Sequence, residues 1–362
     1  VRSGVLVSVH SFAADPRRGI FILVFLIVMI GGALALYAWR APRMVSAAGF
    51  ELISRESFLL FNNLLLVIAA AVVFGGTMAP LIAATLHLGT LSVGPPYFNP
   101  SFLVPVLPLL ALLPLGIHAR WRRGALSESR RALLVTLGLS LVLALAVVFG
   151  LYAHPLPLTP IGATLGLWII CSSLLDPLDR LRRRLHVTAA IAGMSIAHIG
   201  LGVFVIGVTF VYSNTIERDV ALKPGQSVQL SDYVFRYEGV QNIEGPNYEG
   251  VRGTVSVTRD GKPVAILRPE KHRFWVQGSV QTKAAISASL QRDLLAALGD
   301  DVGAGAYSLR LQYRPLIRFI WLGALIMAMG GVTAVLGRRQ RGTALSAAAQ
   351  TLGLKAQPDG RP

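Results

Sequence analysis

Charge is scarce in this sequence. Asp, Glu, Lys and Arg make up 14% of its 362 residues, where soluble globular domains carry about a quarter. Acidic residues are rarer still, 18 against 34 basic ones. Cysteine occurs once, at Cys171, inside an apolar run. A lone cysteine excludes an intrachain disulfide and any cysteine-cluster metal site, and reads as a small apolar packing residue. No glycine-rich phosphate loop with its lysine is present, so ATP use has no support. Gly-x-Ser-x-Gly and His-Glu-x-x-His are both missing, which removes two common hydrolase readings. The apolar stretches hold no paired carboxylates, which argues against a proton-coupled transporter. The chain begins at Val1 without methionine, a basic leader or a cleavage site, and so reads as the remainder of a longer protein.

Apolar residues dominate instead, at 53%, with a mean hydropathy of +0.59. A bilayer core needs about 20 consecutive apolar helical residues. Seven stretches qualify: 19–39, 62–84, 101–118, 132–152, 159–177, 187–212 and 316–337. The third contains Pro105, Pro108 and Pro114, so kinks are expected there. The fold class that follows is a polytopic α-helical membrane protein of about seven transmembrane helices. A small β-rich periplasmic domain sits between the last two. The expected division is a periplasmic segment 1–18, a six-helix membrane region 19–212, the β-rich domain 213–315, the last helix 316–337, and a disordered cytoplasmic tail 338–362.

Orientation comes from the arginines. The net charge of +16 resembles a nucleic-acid signature, but the basic residues sit in short runs between apolar stretches. Loops 40–61, 119–131 and 178–186 and the segment after 337 are arginine-bearing; loops 85–100 and 153–158 carry no Lys or Arg. The alternation is unbroken from the first helix onward. The positive-inside rule then puts the basic loops and the C-terminus in the cytoplasm, and no nucleic-acid partner is expected. Arg17 and Arg18 fall on the outer side and are outvoted by the later loops.

The segment 213–315 therefore lies outside. Residues 233–239, 251–258, 263–269 and 307–313 alternate as strands, and Asp260-Gly261 is a tight-turn signal between two of them. Residues 288–298 have helical spacing. The expectation is a small sandwich or open barrel with one short helix.

Ionisable side chains inside a membrane span are costly and mark functional sites. His198 is the one that stands out. It lies near the middle of its helix, among Ala190, Gly193, Ala197, Gly200 and Gly202. A small-residue face admits another helix or a flat macrocycle close to the backbone, and neutral imidazole is a good iron ligand. The residues alone leave open an iron ligand, a proton relay or a packing histidine. His87, His118, His154, His186 and His272 read as solvated interface residues. His10 lies on the outer side before the first helix, where it could ligate a metal or haem at the surface. Asn62 and Asn63 read as the cap of the second helix, Gly94–Asn99 as a stiff outer loop, and Phe274-Trp275 as core packing.

Several strings together carry a resemblance: Arg2–Phe12, Ser54-Arg55-Glu56 followed by Asn62-Asn63, Ser92–Asn99, Gly193–Gly200 and Phe274–Leu290. They resemble the CcmF family of cytochrome c-type biogenesis proteins, almost throughout the chain up to about Gly337. The resemblance implies a haem lyase subunit of the bacterial inner membrane. Such a subunit takes haem from a periplasmic haem chaperone and helps attach it to the Cys-x-x-Cys-His motif of apocytochrome c by thioether bonds. It works with thioredoxin-like and other apocytochrome-holding membrane subunits. The resemblance further implies a b-type haem in the membrane that reduces the incoming haem, with His198 as an axial ligand, and His10 as a periplasmic ligand of the incoming haem. The second ligand of each, and the family's Trp-rich segment, are expected outside this chain, so the chain alone should be inactive. Three alternatives stay open: a related lyase subunit serving a multihaem nitrite reductase, a haem or solute transporter, and a non-catalytic assembly scaffold.

Overall fold

The computed structural model describes residues 16–43, 51–86, 88–89, 91–121, 127–151, 156–276 and 278–351. Among them, seven helices are long and apolar enough to cross a membrane, matching the seven stretches read from hydropathy. The chain divides into two compact units, Val1–Glu128 and Ser129–Pro362.

The first unit contains α1 (Pro16–Arg40), α2 (Arg55–Thr85) and α3 (Pro95–His118). α2 begins about two turns earlier than hydropathy indicates. Its cap is the buried Ser54, whose Oγ accepts from the Ser57 amide at 3.3 Å. Asn62 and Asn63 lie two turns inside the helix, so they do not cap it. The expected loop at Gly94–Asn99 is instead the first turn of α3, with Pro95 and Pro96 at the opening positions, where the missing amide hydrogen costs nothing. Tyr97 packs against Gly76, and its hydroxyl donates to the Val72 carbonyl at 3.0 Å. This aromatic therefore joins α3 to α2.

The second unit holds α4 (Ser127–Leu151), α5 (Leu158–Arg182), α6 (Ala189–Asn214) and α7 (Ile317–Thr351). α6 and α7 run antiparallel and touch backbone to backbone. A Cβ added at Gly200 would lie 2.5 Å from the Met327 amide nitrogen and 2.7 Å from the Gly323 carbonyl oxygen. Seven residues earlier, one at Gly193 would lie 2.6 Å from the Gly330 carbonyl oxygen. Seven residues later, one at Gly207 would lie 2.7 Å from the Ile320 amide nitrogen. Lipid offers no hydrophobic drive between helices, so small residues that allow close dispersion contact hold them together. α5 meets α6 in the same way, through Gly166 and Gly202. The Trp168 indole of α5 donates to the Leu133 carbonyl of α4 at 3.2 Å. α7 continues past the expected end of its span at 337, reaching Thr351 through the first part of the expected tail.

Between α6 and α7 the chain forms ten strands: β1 (Ile216–Leu222), β2 (Ser227–Leu230), β3 (Tyr233–Glu244), β4 (Tyr248–Arg259), β5 (Lys262–Leu267), β6 (Glu270–Phe274), β7 (Val280–Lys283), β8 (Ala285–Ala288), β9 (Arg292–Gly303) and β10 (Ala306–Pro315). One sheet has the order β1-β10-β9-β8; the other has β2-β3-β4-β6-β7, with β5 paired to β4. Phe235, Tyr237, Val255, Leu294, Leu298 and Leu311 are fully buried between them. Asp260 and Gly261 both adopt positive φ, the conformation of a two-residue turn joining β4 to β5.

The short helix expected at 288–298 is not formed. That segment supplies the end of β8 and the first half of β9. Leu290, Leu294 and Leu298 recur every fourth residue, and four is a multiple of two, so the spacing fits one face of a strand as well as a helix. Antiparallel pairing of β9 with β10 decides in favour of the strand.

Two contacts fix the sandwich to α7. The Leu316 amide donates to the Gln291 carbonyl at 2.9 Å, and Arg318 Nε donates to the mostly buried Asp293 carboxylate at 3.1 Å.

Gly200→Ala should force α6 and α7 apart and lower stability by about 1–3 kcal/mol, the usual cost of an overpacked contact. Gly331→Ala should be close to neutral, because nothing lies within 4 Å of its Cβ position. Thermal unfolding of the two variants in detergent, followed by circular dichroism, would compare them.

Candidate functional site

His198 sits in the third turn of α6. The helix starts cleanly because Thr188 Oγ1 accepts from the Ile191 amide at 3.5 Å. One turn back from the imidazole, the Met194 carbonyl oxygen lies 2.7 Å from Nδ1. A carbonyl only accepts, so Nδ1 carries the hydrogen and the lone pair of the neutral ring is on Nε2. The same division of labour orients metal-ligating histidines, with one ring nitrogen donating to a fixed acceptor and the other meeting the metal. The side chain is half-buried.

The small-residue face beside His198 has a different use from the macrocycle slot the sequence allowed. Gly193 and Gly200 are closed off by α7, Ala197 is covered at Gly330, and Gly202 lies on α5. His198 belongs to another stripe of α6, with Met194 four residues before it and Leu201 three after, and all three are half-buried. Gly202, four residues after His198, shares its face and is packed against Ile170 and the Gly166 carbonyl of α5.

His10, His87 and His154 lie outside the described residues. His118 ends α3 half-buried, and His186 is exposed. Among the described residues, no group of three or more His, Cys, Asp or Glu could hold a metal ion. Trp275 is 57% exposed, so it points outward from the domain and does not join its core. Phe274 is half-buried, with its ring 5.8 Å from Tyr248.

His272 overturns its surface reading. It is 1% exposed and stacked on the Tyr248 ring at 3.8 Å. Its Nε2 donates to Glu270 Oε2 at 2.7 Å, while Arg252 Nε donates to Glu270 Oε1 at 2.7 Å. Period-two alternation could have found it, because His272 faces away from its basic neighbours Lys271 and Arg273 on the same strand. Burial pushes the Glu270 carboxyl up, but the hydrogen bonds from Arg252 and His272 outweigh burial and hold it below the ordinary carboxyl range.

The geometry so far is a membrane bundle with one oriented histidine and a sandwich inserted between two glycine-packed helices. A family model described as the CcmF C-terminal beta-sandwich matches residues 213–315. The cytochrome c-type biogenesis protein CcmF of Escherichia coli is 41% identical over 341 residues, covering 94% of this chain and 53% of that protein. CcmF of Pseudomonas fluorescens is 42% identical over 364 residues, covering 98% and 54%. The chain belongs to the CcmF family. NrfE of Haemophilus influenzae, another cytochrome c-type biogenesis protein, is 32% identical over 353 residues, covering 94% of this chain and 54% of NrfE. A solved structure of the cytochrome c heme lyase CcmF superposes with a TM-score of 0.72 at 20% identity, covering 89% of this chain and 51% of that one. At that identity it shares the fold. The chain spans about half the length of the CcmF relatives it matches.

Glu270 is ionised in the folded domain at lower pH than in the unfolded chain. Its contribution to stability is therefore complete above the ordinary value of 4.5 and is lost as pH falls below that value through the lowered one. Glu270→Gln should flatten this acid limb. Thermal midpoints of both proteins, measured while pH is lowered through 4.5, would register the difference.

Proposed function

We propose that this chain is the membrane and outer-domain portion of a haem lyase that joins haem to apocytochrome c. His198 is one axial ligand of a b-type haem held in the membrane, and His10 is one ligand of the incoming haem at the periplasmic face. The observation that carries the reading is the His198–Met194 hydrogen bond. It fixes Nε2 as the lone-pair nitrogen inside an apolar span, off the glycine stripe that packs against α7. The residues present suit one axial position of a haem; the described part of the chain offers no second histidine on the same helix face.

Haem supplies the redox change at iron and the vinyl groups that take up thiols. The protein's share is orientation. Met194 sets the tautomer of His198 and its ring direction. The apolar helices around it keep water away, which strengthens binding of a neutral imidazole to iron. The alternation of basic and uncharged loops supports an outward sandwich and a cytoplasmic C-terminus. The sandwich then stands where a haem chaperone, an apocytochrome and thioredoxin-like partners would meet it. Membership of the CcmF family supports these partners as a class.

The test is the dithionite-reduced visible spectrum of the intact full-length protein, purified in mild detergent. The b-type bands should be present in the wild type and lost or strongly weakened in His198→Ala, with gel filtration confirming an intact fold. His10→Ala should keep the membrane haem and lose haem transfer to apocytochrome. A His198→Ala protein with an unchanged spectrum would sink the assignment.

A further inference from the structure

A cavity of about 540 Å³ lies where the α4–α6 bundle meets the sandwich. Its two walls differ in chemistry. Leu143 and Val147 of α4, Leu167 of α5, and Ile206 and Phe210 of α6 form the inner wall, all within membrane-crossing segments. The opposite rim comes from turns and strand ends of the sandwich, chiefly Asp232, Arg259 and Tyr313. Leu143 and Val147 are also 47% and 37% exposed, so the cavity is open along the side of α4.

The apolar side of such a cavity is not left bare at the edge of a bilayer. Water would find no partners along the helix wall, and a void forfeits the dispersion contacts of every side chain lining it. Acyl chains are the apolar material available at that depth. The rim indicates which head they carry. Arg259 Nη2 donates to Asp232 Oδ2 at 3.1 Å, and its guanidinium lies 5.5 Å from the centre of the Tyr233 ring. Both charged side chains are about half exposed or more, so each retains hydrogen-bonding capacity toward solvent. A neighbouring cation and anion complement a head that itself carries a phosphate and an ammonium. The guanidinium suits the phosphate and the carboxylate suits the ammonium. A singly anionic head would face Asp232 without a counter-charge.

The geometry points to a binding site for one phosphatidylethanolamine molecule from the leaflet on the sandwich side, with an acyl chain along α4–α6 and the head between Arg259 and Asp232. Nothing in this site depends on haem. The lipid fills the joint between the bundle and the sandwich and fixes the depth at which the sandwich rides on the bilayer.

The test is native mass spectrometry of the protein purified in mild detergent, stripped of lipid and titrated with equal amounts of phosphatidylethanolamine and phosphatidylglycerol. One phosphatidylethanolamine should bind per chain, with at least about a tenfold preference over phosphatidylglycerol. Val147→Trp, which fills the cavity from the exposed side of α4, should lose it. Asp232→Asn should abolish or reverse the head-group preference, and Arg259→Gln should weaken both lipids. Circular dichroism melts of each variant establish that it is folded. Three results would overturn the proposal: a wild type that takes up no lipid, equal binding of the two lipids unaffected by Asp232→Asn, or a folded Val147→Trp protein that binds as the wild type does. A porphyrin recovered from the cavity in place of lipid would overturn it too.

Discussion

The close approach of α6 and α7 governs much else in the second unit. Glycines seven residues apart on each helix remove the side chains that would hold the backbones apart. Seven residues are two turns, so the contact repeats along one line and keeps the helices in register over their shared length. The consequences reach in both directions. On α6 the contact uses up the smallest face and leaves His198 on a different one. At the sandwich end it brings the start of β1 and the end of β10 together, so these strands pair along their length and close the sheet at its point of attachment.

The imidazole of His198 is oriented by its own helix. The Met194 carbonyl is already committed to the helical ladder, and it takes a second hydrogen bond from Nδ1. No neighbouring helix is needed to select the tautomer. A histidine held this way presents the same nitrogen whichever helices stand opposite. By contrast, the histidine of the sandwich, His272, spends its Nε2 on Glu270 and its ring face on Tyr248. It acts as a structural residue tying β6 to the core.

The helices were legible in the sequence because a span is a long signal. Twenty apolar residues in a row admit few alternatives, and loops that alternate between arginine-bearing and uncharged separate them. Ends were harder to read. α2 starts at Arg55 because the Ser54 hydroxyl caps it, a local event that a hydropathy window averages away. In the sandwich, the Asp260-Gly261 turn declared its hairpin, whereas Leu290, Leu294 and Leu298 satisfied two periodicities at once, and only pairing with β10 resolved them. His198 could be singled out as a lone ionisable residue in an apolar run. What its glycine neighbours were for required α7, whose Gly323 and Gly330 carry the matching seven-residue spacing more than a hundred positions away.

The order of synthesis gives the glycine contact one further meaning. α7 leaves the ribosome only after the entire sandwich, so α6 is made well before the helix that packs on its flattest face. When α7 arrives, Leu316 and Arg318 meet Gln291 and Asp293 at the base of β9. Those anchors set where the helix begins, and hence which glycine faces which. A folded sandwich thus serves as the gauge for its own membrane stem. A chain whose sandwich misfolds would lose the reference that aligns its last two helices, even with every membrane residue intact.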